Sequence, residues 1–198
     1  MKRFIAITTA LLVGALTIAG CGHQLPQQGW VTLFDGTNLD HWTQVGGANW
    51  RLEDGAVVAD KNAAKGSGFL VTKNAYKDFE LRVEFWASHD ANSGIYMRCA
   101  DRNKITDRSC YEANVFDQRK DPSYGTGAIV HRATVNPMPK AGGKWNLYEI
   151  YAQGPDMTVA LNGAVTVHMR DSELASGPIA IQYGTGVVKV RRVQIKPL

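Results

Sequence analysis

Between Phe79 and Asp117 apolar and polar residues alternate through three runs, FELRVEFWA, GIYMRC and YEANVFD, and each run predicts a β-strand. Leu81, Val83, Phe85, Ile95, Met97, Cys99, Tyr111, Ala113 and Val115 fall on one side, which is expected to be core. The other side of an antiparallel sheet is usually wet and rich in Lys, Thr and Ser. Here it carries Glu80, Arg82, Glu84, Trp86, Tyr96, Arg98, Glu112, Asn114 and Phe116. Read as three neighbouring strands of one sheet, the runs place aromatic plates beside arginines and carboxylates. That mixture suits a polyhydroxylated ring, because aromatic faces cover sugar C–H patches while Arg, Glu and Asn bond hydroxyls. The plainer reading is a charged surface with stray aromatics.

The same period continues on both sides of this stretch. WRLEDGAVVA places Asp54-Gly55 between two apolar runs, and Asn162-Gly163 separates MTVAL from AVTVH, so each pair predicts a tight hairpin. GFLVT, GAIVH, WNLYEIYA, PIAIQYG and VVKVRRVQIKPL read as further strands, and QRKDPSYGTG as a rim or lid loop. No long helical period occurs. A dozen short runs separated by Gly, Asp-Gly, Asn-Gly and Pro predict an all-β, antiparallel two-sheet sandwich of the jelly-roll type.

The amino terminus differs in character. Lys2 and Arg3 precede an apolar run that ends in Leu16-Thr-Ile-Ala-Gly-Cys21, the layout of a secretory signal closed by a lipobox. This predicts a signal peptide at 1–20, a lipid on Cys21, a Gln/Pro tether over 21–28 and one domain over 29–198. Several acyl chains on one cysteine make a stable anchor. Gly22 is not the aspartate that retains such proteins in the inner membrane, so the expected location is the outer membrane, facing the periplasm. Removal of 1–20 takes two of the 22 basic residues and leaves 20 against 18 acidic ones. Such a balance, with no Lys/Arg run, zinc spacing or phosphate loop, argues against a nucleic-acid partner. Cys99 and Cys110 remain, and in an oxidising compartment they are expected to pair and close the loop between the second and third runs.

Nearly the whole mature chain resembles the 3-keto-disaccharide hydrolase domain family, built on a concanavalin A-like lectin/glucanase sandwich. The motifs that carry it are Leu33-Phe-Asp-Gly-Thr-Asn-Leu-Asp40, Trp50-Arg-Leu-Glu-Asp-Gly55, Asn92-Ser-Gly-Ile95 with Arg98, Tyr111-Glu112 with Asp117, Lys144-Trp-Asn146 and Gly177-Pro-Ile-Ala-Ile-Gln182. Two departures stand out: Asn114 replaces a more usual Gln, and Tyr183 stands where a His often follows. The resemblance implies a saccharide substrate oxidised at C3 and a role for Gln182 in holding it.

Double-carboxylate hydrolysis needs carboxyls about 5–9.5 Å apart, and Glu84 and Glu112, if separated by one strand, would lie about 10 Å apart. The Glu112-x-Asn114-x-x-Asp117 run resembles a sandwich-endoglycanase strand motif, but its ends share a face only across a bulge. A C3 ketone relaxes the requirement, because it acidifies the C2 hydrogen and permits elimination. Glu112 is then the candidate base, Arg98 the oxyanion stabiliser, and His131 a proton donor or second base if GAIVH lies beside the third run. Glu84, Trp86, Tyr96, Asn114, Asp117 and Gln182 are the candidate substrate contacts. Glu112 and Arg98 could equally form a simple cross-strand ion pair. No residue set demands a cofactor, although a divalent cation would serve as electrophile in place of Arg98. The alternative function is a lectin-like lipoprotein that binds a glycan without cutting it. Oligomeric state is left open.

Overall fold

The computed structural model describes residues 29–198; the signal segment, Cys21 and the tether lie outside them. In chain order the strands are β1 (Val31–Phe34), β2 (Trp42–Val45), β3 (Arg51–Glu53), β4 (Ala56–Ala59), β5 (Gly68–Tyr76), β6 (Phe79–Ala87) and β7 (Ser93–Met97). They continue as β8 (Tyr111–Val115), β9 (Trp145–Gln153), β10 (Asp156–Leu161), β11 (Ala164–Arg170), β12 (Gly177–Tyr183) and β13 (Val188–Pro197), with one short 3-10 turn at Pro122–Tyr124. The strands form two antiparallel sheets. The larger has eight strands in the order β11-β10-β9-β6-β13-β4-β3, with β1 beside β13; the smaller runs β2-β5-β12-β7-β8.

The all-β sandwich follows from the period-2 pattern. In β6 every second residue is buried, and Leu81, Val83 and Phe85 join Ile95, Met97, Tyr111, Ala113 and Val115 in one core between the sheets. Both predicted hairpins form. Asp54 and Gly55 have φ of 51° and 73°, and Asn162 and Gly163 have 53° and 82°, the left-handed pair that a two-residue turn of right-twisting strands requires. Gly177 serves a different need: a Cβ there would stand 2.2 Å from the carbonyl oxygen of Cys99, so only glycine lets β12 pass the end of β7.

Two expectations are corrected. β6, β7 and β8 are not neighbours in one sheet. β6 lies between β9 and β13 in the larger sheet, whereas β7 pairs with β8 and β12 in the smaller. The short link from Ser88 to Asn92 carries the chain across the sandwich, so the outer faces of β6 and of β7–β8 point in opposite directions. Alternation sets which side of its own strand a residue takes, but not which sheet that strand joins. The run GAIVH, in turn, is not a strand. Residues 128–130 do run beside β8, with Asn114 N–H donating to Ala128 O and Val130 N–H to Glu112 O, but Ile129 then bridges back to Ala133 and the chain turns at His131, φ 61°.

Candidate active site

Alternation in β7, β8 and β12 turns Tyr96, Glu112 and Gln182 to the outer face of the smaller sheet, and β5 adds Phe69. Part of that face is covered by the loop between β7 and β8. The Cys99–Cys110 disulfide, found as expected, ties the loop's ends together, and Ile105 joins Phe69, Val71, Tyr96 and Ala180 in a second apolar cluster. Between loop and sheet lies a cleft of about 560 Å³, lined by Val45, Ser67, Phe69, Tyr96 and Gln182 on one side and Lys104, Ile105 and Asp107 on the other. Phe69 meets the Tyr96 ring edge-on at 5.4 Å, which gives the floor an aromatic wall.

Glu112 stands directly across the β7–β8 ladder from Tyr96, near enough for the phenol to favour its charged form. Only 5% of Glu112 is exposed. Burial raises its carboxyl to about 7, opposed by the Tyr96 phenol; the Asp107 charge pushes it further up and the Arg119 charge pulls it down. Burial, followed by the charge of Glu112, also pushes the Tyr96 phenol up, so that hydroxyl stays protonated. Space for this pair comes from Gly94, where a Cβ would stand 2.8 Å from Glu112 Oε1 and 3.2 Å from the Tyr96 ring. Near neutral pH the carboxyl can therefore take up or release a proton.

Gln182 points into the cleft with its amide fixed from behind. Its Nε2–H donates to Ser67 Oγ at 3.0 Å, while Oε1, in a residue only 7% exposed, is buried without a partner. An unmet buried acceptor beside a cleft is costly unless a ligand donates to it. His131 contributes at the cleft edge through Asp107, with Nε2 3.0 Å from Asp107 Oδ2, and its ring lies against Tyr124.

Other sequence candidates lie elsewhere. Arg98 is 1% exposed at the end of β7, with φ 50°; its guanidinium donates to the carbonyls of Lys77, Gly154 and Leu174 and to Asp78 Oδ1. Those donors are committed to the protein's own chain, so Arg98 joins loops and cannot present a fork to an oxyanion. Glu84 and Trp86 lie on the opposite surface of the sandwich, Glu84 bonded to Arg191 at 2.6 Å and Trp86 beneath the Lys189 ammonium at 5.5 Å. Asp117 accepts from Thr126 Oγ1 and from the amides of Ala141 and Gly142, which ties two loops together. Asn114 shares the outer face of β8, but its Nδ2 donates to Tyr124 O; its Oδ1 is buried without a partner. Tyr183 turns into the core, with its hydroxyl on Gly186 O. Among the described residues no three His, Cys, Asp or Glu side chains converge as a metal group would require.

Asp107, Lys104, Ser67 and Phe69 were missed in the sequence. The one available signal was the cysteine spacing, since a short disulfide-closed loop must fold back near its own strands.

A family model described as the 3-keto-alpha-glucoside-1,2-lyase-like domain matches residues 29–196, the whole sandwich. The chain belongs to this family. One relative of the 3-keto-alpha-glucoside-1,2-lyase-like domain, a protein of Bacteroides thetaiotaomicron named 3-keto-disaccharide hydrolase, is 33% identical over 84 residues. The match spans 37% of this chain and 29% of that relative. Family and relative together place the domain among carbohydrate-active, hydrolase-like proteins. Solved structures share its fold. A candidate glycosyl hydrolase of Parabacteroides distasonis superposes with a TM-score of 0.73 at 18% identity, covering 86% of this chain and 94% of that one. The Bacillus licheniformis β-glucanase gives 0.62 at 13%, covering 87% and 100%. The carbohydrate-binding module CBM66 of Bacillus subtilis gives 0.59 at 15%, covering 79% and 95%.

Proposed function

We propose that this domain cleaves the glycosidic bond of a 3-keto-disaccharide or related oxidised glycoside by proton abstraction at C2, in the cleft over the smaller sheet. The observation that carries this reading is Glu112, a buried carboxyl raised to about 7 that stands across the β7–β8 ladder from Tyr96, whose ring lines the cleft. A general base works best with a proton affinity near the working pH. Glu112 takes the C2 proton, the C–H electrons pass to the C3 carbonyl oxygen as an enolate, and collapse of the enolate forms C1=C2 and expels the glycosidic oxygen. That oxygen leaves with a proton as the alcohol, and water then adds across C1=C2 to give the free 3-keto sugar.

Other groups serve the same steps. The Tyr96 phenol orients Glu112, Lys104 at the cleft supplies the positive charge that Arg98 cannot, and Gln182 Oε1 accepts a hydroxyl of the sugar. The His131–Asp107 pair stands where a proton can be passed to the leaving oxygen. In this reading the mature chain works in the periplasm, anchored to the outer membrane by a lipid on Cys21 after loss of residues 1–20. The signal layout and lipobox of the sequence support that placement.

The test is incubation of the purified protein with 3-keto-trehalose, 3-keto-lactose and their unoxidised parents. Release of free sugar from the keto substrates alone, with a primary isotope effect from deuterium at C2, is expected. Cleavage of the parents at equal rate, or no isotope effect, refutes the elimination. Binding without turnover leaves the lectin-like reading in its place.

A further inference from the structure

The aromatic and charged side of β6 that stood out in the sequence has no part in the cleft; it lies on the opposite surface of the molecule. There the rows of the larger sheet run Lys189–Trp86–Trp145, Arg192–Glu84–Leu147, Gln194–Arg82–Glu149 and Lys196–Glu80–Tyr151 across β13, β6 and β9. Trp145 and Tyr151 are more than a third exposed, and Trp30 adds a fourth ring, against Arg82.

From this surface we infer a docking face for an anionic phospholipid bilayer. Its rings are poor sugar platforms, because cations already sit on them: the Arg191 guanidinium lies 4.4 Å above Trp145, that of Arg82 4.5 Å from Trp30, and the Lys189 ammonium 5.5 Å from Trp86. Trp and Tyr interleaved with Lys and Arg is instead the composition of the membrane–water interface, where rings sit at headgroup depth and cations meet phosphates. The charges leave the required excess. Each carboxylate of the face has a cation, Glu84 with Arg191, Glu149 with Arg82 and Glu80 with Lys196, whereas Lys189 and Arg192 form no ion pair among the described residues.

The chain's path agrees. Gly29 lies over the Lys196 side chain and Trp30 over Arg82, so the described chain begins on this face. Cys21 is eight residues earlier, which spans at most about 28 Å even fully extended. A lipid on Cys21 would hold this face near the bilayer, with the cleft, on the opposite sheet, turned toward soluble saccharide.

The test uses mature protein bound to vesicles of brominated phosphatidylglycerol or brominated phosphatidylcholine, with tryptophan emission as readout. Trp30, Trp86 and Trp145 belong to this face, while Trp42 and Trp50 are buried in the core. Emission should be quenched by the brominated phosphatidylglycerol, several-fold less by the choline lipid and several-fold less again in 0.5 M NaCl. Lys189→Glu with Arg192→Glu should lower quenching in the same way and leave saccharide turnover unchanged. If mass spectrometry shows no lipid on Cys21, the protein is titrated with the same vesicles. The double variant should then weaken partitioning by at least about twentyfold, since each basic residue near an anionic surface contributes about fivefold. Equal quenching of wild type and double variant, quenching indifferent to headgroup, or relief of quenching by a soluble glucan overturns the inference; the last result would mark a glycan surface instead.

Discussion

Replacing Glu112 by Gln tests the cleft through stability as well as through chemistry. The carboxyl rises from its ordinary 4.5 to about 7 in the folded protein, with burial as the main cause. A group raised in this way binds its proton more tightly folded than unfolded, so its share of stability is intact below about 4.5 and lost as pH climbs through 7. At about 1.4 kcal/mol for each tenfold change in proton affinity, the ionised carboxylate costs about 3 kcal/mol above pH 8. Gln keeps the shape and an acceptor for the Tyr96 hydroxyl but carries no charge. Urea unfolding at pH 5 and pH 8 should therefore show Glu112→Gln gaining about 2–3 kcal/mol on wild type between the two pH values. Turnover of a 3-keto glycoside should fall by about 10²–10⁴-fold, and wild-type kcat/KM should rise with pH through about 7 as the base form appears. Parallel stability profiles for the two proteins would show that the carboxyl is not desolvated, and unchanged turnover would place the base elsewhere, with His131 next to be tested.

Three other outcomes follow from the same geometry. Gln182→Leu removes the unmet acceptor, so it should preserve or slightly raise thermal stability while weakening binding of a keto disaccharide by about 1–3 kcal/mol in calorimetry. Arg98→Met removes the fully buried guanidinium that serves Asp78 and three carbonyls; a loss of about 1–3 kcal/mol in chemical denaturation is expected, with kcat of the folded fraction unchanged, because the guanidinium does not reach the cleft. Cys99→Ser with Cys110→Ser opens the loop that walls the cleft, and should cost about 2–4 kcal/mol in unfolding and raise KM more than it lowers kcat.

Much of the fold was legible in the chain itself. Alternation turned Tyr96 and Glu112 away from Ile95, Met97, Tyr111 and Ala113, and the structure agrees residue by residue. Asp54-Gly55 and Asn162-Gly163 announced their turns because few residues accept positive φ. Cys99 and Cys110 paired as their number and expected compartment implied. These are local properties, decided by backbone geometry within a few residues. Which sheet each strand joined was not local. β6 and β7 are consecutive, yet they pair with β9 and β13 on one side and with β8 and β12 on the other, in part through contacts more than a hundred residues away in sequence. That choice divided one apparent face into two, keeping Tyr96 and Gln182 at the cleft with Glu112 beside Tyr96, and sending Glu84 and Trp86 to the far surface. It also buried Arg98 among carbonyls from three distant loops, a setting that neither its spacing nor its alternation could reveal, because such donors find their acceptors only when the chain closes on itself.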